Sequence, residues 1–368
     1  MVRSSSPAIE RTWGARLWDF CDQRLGLAEL VELARHKLVP QHPHAVWYYL
    51  GGISLFFFLV QIVTGILLLV YFRPGPEAYD SVRRITYDIE FGWLIRSAHS
   101  WSANLMVLAV FVHMFSVALM KAYRRPREFG WWTGLALLGL TMVFGFSGYL
   151  LPMDELSYFA TKVGLEIPAS IPIVGPWMAD LVRGGPTVDE NTILRFFTLH
   201  VVILPALFVS VLVVHLYLVQ RHGNAVPPSE EAKPAADRQY VPFFPDFLLS
   251  DLTVWLVTLN LLGFLACLVP WQLGPQADPV SAAPAGIHPE WYFMAQFQLL
   301  KVLGAWLPGT AGELVGILMV TGGGLVFALL PLLDHAEENR RLARLGTCVT
   351  VVLLVGLVVL TVWGYLAL

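Results

Sequence analysis

The sequence predicts an all-α polytopic membrane protein, with a bundle of four spanning helices followed by three more. Three observations carry that reading. Of 368 residues, 56% are hydrophobic and only 14% charged, far less charge than a soluble domain of this length carries. Apolar runs long enough to cross a bilayer occur seven times. The runs are too long and too uniform for barrel strands, and lipid offers exposed backbone groups no partner, so they are helices.

The elements follow in chain order. Residues 1–45 are polar and helix-like, with no apolar core. The first apolar run comes too late and is too long for a signal peptide, so the segment reads as an interfacial helix on the membrane surface. Four runs follow at about 46–72, 93–120, 131–151 and 197–219. Residues 223–245, "GNAVPPSEEAKPAADRQYVPFFP", replace apolar residues with Pro, Ala and charge, as a linker does. Three more runs lie at about 252–270, 314–333 and 347–368. The expected organisation is therefore an interfacial segment over 1–45, a four-helix unit over 46–222, the linker, and a three-helix unit over 246–368. Two extramembrane loops, 152–195 and 271–312, are long enough to be expected to carry function.

Charge sets the orientation. With seven spans, one set of loops holds sixteen of the 24 Lys and Arg. Basic loops stay in the cytoplasm, so the N-terminus is expected there and the C-terminus across the membrane. The net charge of −3 gives no reason to expect a nucleic-acid partner. Cys21, Cys267 and Cys348 are scattered, with no CxxC or CxxCH. That pattern argues against a disulfide framework, a thiolate metal site and a covalently attached c-type haem.

The chemistry lies in four histidines. His99 and His113 stand fourteen apart in the second run, and His200 and His215 fifteen apart in the fourth. On a straight helix fourteen residues return to within about 40° of the same face and fifteen to within about 60°. Each pair lies along one side of its helix, its members roughly 21 Å apart along the axis. The second and fourth spans run parallel, so His99 can meet His200 at one depth and His113 can meet His215 at another. Two bis-histidine haems stacked across a bilayer need that geometry. A lone membrane histidine could as well be a packing residue, but two matched pairs weigh heavily against it. No carboxylate or thiol stands near the four to make another kind of metal site.

The glycines repeat the spacing. Gly51 and Gly65 are fourteen apart in the first run, and Gly134 and Gly148 in the third. Glycine lets a backbone approach a bulky partner, so two glycine levels beside two histidine levels suggest a cradle for two macrocycles. Ordinary small-residue helix packing is the plainer alternative. Arg96, one turn before His99, could pair a haem propionate or anchor the helix at the interface.

On "LGGISLFFFLVQIVTG", "FGWLIRSAHSWSANLMVL", "RRPREFGWWTG", "FGFSGYLLPMD", "RFFTLHVVILP" and "PEWYF", the chain resembles the cytochrome b/b6 family. That family forms the haem-bearing core of quinol:cytochrome c reductases and of the related photosynthetic complex. The fifteen-residue spacing resembles the photosynthetic branch, here with its cytochrome and its three-helix subunit IV fused. The resemblance implies an electron-transport oxidoreductase of a bacterial inner membrane, a homodimer with a Rieske iron–sulfur protein and a c-type cytochrome as partners. It implies two non-covalent b haems on His99/His200 and His113/His215, and quinol oxidation at the outer face. Glu290 and Tyr292 would line the outer quinol site, with Tyr149 and the 164–185 loop beside them. Asp246, in "FFPDF", would match an acid near the inner quinone site.

Three positions depart from the family pattern. Tyr49 replaces the cysteine that holds a third haem in the photosynthetic branch, so no covalent haem is expected. Ser116 and Gln220 replace basic residues near the inner site. Two other readings compete. A di-haem membrane anchor for a dehydrogenase explains the histidines but not the Pro289-Glu290-Trp291-Tyr292 loop or the last three helices. A transporter needs polar groups at mid-membrane on broken helices, and apart from the histidines this chain offers few, such as Gln61 and Asn260.

Overall fold

A computed structural model of the chain describes residues 12–334 and 340–368. The first eleven residues of the expected interfacial segment, and 335–339 of the basic loop after the sixth span, lie outside the described residues. Among the described residues seven helices are long and apolar enough to cross a membrane: Ala45–Leu69, Gly92–Leu119, Glu128–Leu150, Glu190–His222, Phe243–Leu268, Ala311–Ala328 and Arg344–Leu366. The fourth starts before its apolar run because Asp189 caps it. The Asp189 carboxylate accepts from the backbone N–H of Asn191 and Thr192, and Thr192 returns a bond to the Asp189 backbone, a capping box.

Two surface helices come first, α1 (Trp13–Leu25) and α2 (Leu27–His36). Trp13, Leu17, Trp18 and Phe20 of α1 are exposed, an apolar face suited to a membrane surface. The four-helix unit consists of α3 (Tyr49–Leu69), α5 (Gly92–Leu119), α6 (Glu128–Leu150) and α10 (Leu204–His222). Between α3 and α5 lies the short α4 (Ala78–Tyr87). Between α6 and α10 lie α7 (Glu155–Ala169), α8 (Gly175–Arg183) and α9 (Glu190–Thr198). α3 packs along α5, and α6 along α10. The last part holds α11 (Leu248–Leu268), α12 (Trp291–Trp306), α13 (Ala311–Ala328) and α14 (Arg340–Leu366). α11 lies against α5 and α3, while α12 packs between α13 and α14. α12 occupies the loop read as 271–312 and is not among the spans.

The linker is not a free tether. Strand β1 (Leu38–Gln41) pairs antiparallel with β2 (Gln239–Pro242), Leu38 opposite Pro242. Tyr48 Oη donates to the carbonyl of Ala225 at 2.6 Å. Arg127 donates to the carbonyls of His222 and Gly223. Gln220, where the family pattern carries a basic residue, accepts from Lys37 Nζ at 2.5 Å. Four-residue strands containing Pro40 and Pro242 show no alternation to read in the sequence.

A second fastener joins the two halves. The Asp334 side chain is fully buried. It accepts from Tyr123 Oη at 2.7 Å and from Nε and Nη2 of Arg124, and Lys121 Nζ lies 3.4 Å away. These bonds tie the α5–α6 connection to the segment that follows α13. Beside them Phe115, Tyr123 and Trp131 pack on Phe327 and Leu330.

Candidate functional site

In the four-helix unit the site is built in layers. Phe57, Phe58, Met106, Ala109, Leu137 and Phe208 form a buried cluster. Each of these residues lies in sequence between the two levels of histidine or glycine on its own helix. They form a dry apolar plate at mid-depth. His99 and His200 lie within electrostatic reach of each other on one side of it, and His113 and His215 on the other.

A local irregularity reconciles the unequal spacings. Leu199–Ile203 form a π turn, with the N–H of Leu204 bonding the carbonyl of Leu199. Pro205 has no N–H for the ordinary ladder. A π turn absorbs one extra residue, so the fifteen residues from His200 to His215 serve as fourteen. The 60° offset of a straight helix therefore does not apply.

The glycines face the imidazoles one to one. A Cβ added to Gly51 would lie 3.5 Å from His113 Cε1, and one on Gly65 would lie 3.4 Å from His99 Cε1. The same construction gives 3.3 Å from Gly134 to His215 and 2.6 Å from Gly148 to His200. Each ring is thus seated against bare backbone of the neighbouring helix.

Three of the rings are also oriented by a hydroxyl immediately before that glycine. Thr64 Oγ1 lies 2.8 Å from His99 Nδ1, Thr133 Oγ1 lies 3.0 Å from His215 Nδ1, and Ser147 Oγ lies 3.0 Å from His200 Nδ1. Each hydroxyl gives its single proton to a backbone carbonyl of its own helix, that of Val60, Phe129 or Phe144. Its oxygen is then left to accept from Nδ1–H. That fixes the tautomer and leaves the Nε2 lone pair for a metal. In the sequence these hydroxyls stand one residue before three of the four spaced glycines, as Thr64-Gly65, Thr133-Gly134 and Ser147-Gly148.

The donor set suits haem. Among the described residues no three His, Cys, Asp or Glu converge on one point. Two opposed neutral imidazoles at each level, with glycine clearing the space beside them, fit an iron whose other ligands belong to a flat macrocycle. At Tyr49, the position of the missing cysteine, the ring stacks on Phe247 with centroids 5.0 Å apart.

The outer site gathers round α12. Glu290 occupies the N-cap position of α12, yet its carboxylate makes no capping bond. Burial pushes the Glu290 carboxyl above its ordinary value; the His288 charge opposes that shift and Asp154 adds to it. Burial and the Glu290 charge likewise raise the Tyr292 phenol. Tyr292 is buried against Gly145, where an added Cβ would lie 2.7 Å from its oxygen. Tyr149 Oη is buried with no hydrogen-bond partner among the described residues. Trp291 Nε1 donates to Asn104 Oδ1 at 2.8 Å, fastening the loop to α5. Gly164 of α7 abuts Phe146, whose ring meets Phe293 at 6.0 Å. Elsewhere in the 164–185 segment Leu165, Gly175 and Ala179 are buried, while Ile173, Val174, Trp177 and Leu181 are exposed.

Arg96 is buried, and its guanidinium donates to the carbonyls of Trp271 and Gln272 at 2.8 and 3.2 Å. It holds the loop after α11 against α5. Asp246 is exposed. Among the described residues Asp251 has a buried oxygen, Oδ1, with no hydrogen-bond partner, and that oxygen would lie 2.5 Å from a Cβ on Gly52. Gly52 is the neighbour of Gly51 and so of the His113 level. Asp251 was missed because it stands inside an apolar run, one turn past the motif that drew notice.

Comparison with known proteins agrees with this geometry. The family model "Cytochrome b/b6/petB" matches residues 35–223, and "Cytochrome b(C-terminal)/b6/petD" matches 276–367. A cytochrome bc complex cytochrome b subunit of Chlorobaculum thiosulfatiphilum is 44% identical over 336 residues, 91% of this chain and 77% of that protein. Cytochrome b6 of Synechococcus sp. (strain RCC307) is 40% identical over 212 residues, 57% of this chain and 97% of that protein. Among solved structures, a chain of a hyperthermophilic respiratory Complex III matches with a TM-score of 0.81 at 28% identity. That match covers 95% of this chain and 91% of the other.

Proposed function

The chain belongs to the cytochrome b/b6 family, and on that premise we propose that it oxidises quinol at one membrane face and passes one electron across to a quinone at the other. It is a multi-span cytochrome b subunit of a bc-type oxidoreductase complex. The finer reading rests on one observation: two opposed histidine pairs at two depths, each ring backed by glycine.

Two non-covalent b haems bound at those pairs would supply one-electron carriers at two depths. The remaining work falls to the chain's own residues. Thr64, Thr133 and Ser147 hold three imidazoles with Nε2 presented. The Phe57–Phe208 layer keeps water out of the space between the levels. Oxidising a quinol releases two protons and two electrons. One proton and one electron leave through the Rieske iron–sulfur partner, and the second electron crosses this chain. Glu290 takes the second proton, because its carboxylate is buried, raised toward working pH and free of a capping duty;. At the other face Asp251, rather than Asp246, supplies a proton to the reduced quinone.

The chain sits in a bacterial inner membrane with its N-terminus in the cytoplasm, in a dimeric complex that includes a c-type cytochrome. A dehydrogenase anchor has no use for the second half of the chain, so the family match over 276–367 supports the quinol-oxidising reading. The test is rapid reduction of the purified complex by quinol. Both b signals should be reduced, and blocking the inner site should not prevent it. Failure of quinol to reduce either signal would leave only the anchor reading.

A further inference from the structure

Three of the four imidazoles have a hydroxyl on Nδ1, and the fourth has none. Gly51 faces His113 as the other glycines face their histidines, but the residue before it is Leu50. His113 Nδ1 is buried, with no hydrogen-bond partner among the described residues. An unpartnered buried N–H is costly and calls for a reason. Elsewhere in the same fold the reason for the opposite choice is visible: a Thr or Ser at the corresponding place supplies the acceptor without altering the glycine contact.

We propose that Leu50 is a potential-setting position, and that its missing hydroxyl raises the reduction potential of the His113/His215 level. The inference rests on the two-haem reading above. When Nδ1–H donates to an acceptor, electron density shifts toward Nε2, and the imidazole becomes a stronger donor to the metal. A stronger donor favours the higher oxidation state and lowers the reduction potential. Both ligands of the outer level, His99 and His200, are strengthened in this way. At the inner level only His215 is. The difference favours the electron's step from the outer level to the inner one, and it is built from side chains that touch no substrate.

The test is a spectroscopic redox titration of both b signals in the intact complex. Leu50→Thr adds the missing acceptor. It should lower the potential of one signal, so that its oxidised-to-reduced ratio rises at a fixed applied potential. Thr133→Val should move that same signal in the opposite direction. Thr64→Val should raise the other signal and leave the first alone. Should Leu50→Thr fail to assemble, Leu50→Ser and the two valine variants carry the test. Unmoved potentials with intact spectra, or Leu50→Thr moving the signal that Thr64→Val moves, would overturn the proposal. Absence of two b signals from the unaltered complex would instead overturn the two-haem reading itself.

Discussion

Gly148 and His200 stand closer than any side chain would allow: a Cβ on Gly148 would lie 2.6 Å from the imidazole Cε1. At Gly65 the same construction leaves 3.4 Å to His99. The two glycines serve one level, but only one of them is fully constrained. Gly148→Ala should therefore displace the ring and lower haem content, while Gly65→Ala is nearly tolerated. Leucine at either position overpacks the level, at a cost of about 1–3 kcal/mol or more. Haem absorbance per chain in isolated membranes checks the order. Equal retention in Gly148→Ala and Gly65→Ala would contradict it.

The Asp334 cluster predicts a stability effect far from both quinone sites. Removing one partner of a buried ion pair costs about 3–5 kcal/mol. Asp334→Ala removes the carboxylate that Arg124 and Lys121 face and should lower the unfolding midpoint of the solubilised protein markedly. The Asp334 carboxyl is held below its ordinary range by the Tyr123 and Arg124 hydrogen bonds and the two cations, against the opposing effect of burial. A depressed carboxylate contributes stability above its unfolded value, near 3.9, and loses it as pH falls through the folded value. The wild-type advantage over Asp334→Ala should thus be full at neutral pH and shrink only below about pH 4. A gap that closes at neutral pH would refute the clamp.

Much of this was legible in the sequence, because lipid imposes simple rules. Apolar length gave the seven spans, and helical period put His99 above His113. The histidine and glycine spacings pointed to the same two levels. What escaped reading depends on tertiary neighbours. The π turn at Leu199–Ile203 is set by Pro205 and corrects a face angle that a straight helix misstates. The β1–β2 pairing joins segments two hundred residues apart with too few residues to show a pattern. The helix that starts after Pro289 runs on through Trp306, further than a short capped turn, yet its apolar character is too short to read as a span. The Arg96 guanidinium finds backbone carbonyls across the fold that no local motif announces.

Glu290→Gln isolates the proton acceptor. The amide keeps the size of the side chain but cannot take a proton. Steady-state quinol oxidation should fall severalfold or more with both b spectra unchanged. Burial raises the Glu290 carboxyl, and the groups that act on it are His288, Asp154, Tyr149, Tyr292 and Tyr365. A base must be deprotonated to act, so the wild-type rate should decline as pH drops through that raised value. The variant should lack this acid limb. A retained limb in Glu290→Gln would transfer the role to another group, such as Tyr292 or water.

At the opposite face, Asp251→Asn should slow reoxidation of the inner b signal by quinone about tenfold or more, within the usual range for a lost proton donor. Asp246→Asn should leave it near wild type, because that side chain is exposed. Flash or stopped-flow kinetics with the outer site inhibited reads this step alone. The reverse order of effects would restore Asp246 to the role.

The count and attachment of haem test the central claim most directly. The complex is purified, the chain separated under denaturing conditions, and haem measured both in an acid-organic extract and on the polypeptide. The histidine pairs predict two extractable b haems per chain, and Tyr49 in place of cysteine predicts none left on the protein. One haem per chain, or a haem-stained band at this chain's mass, would contradict the account.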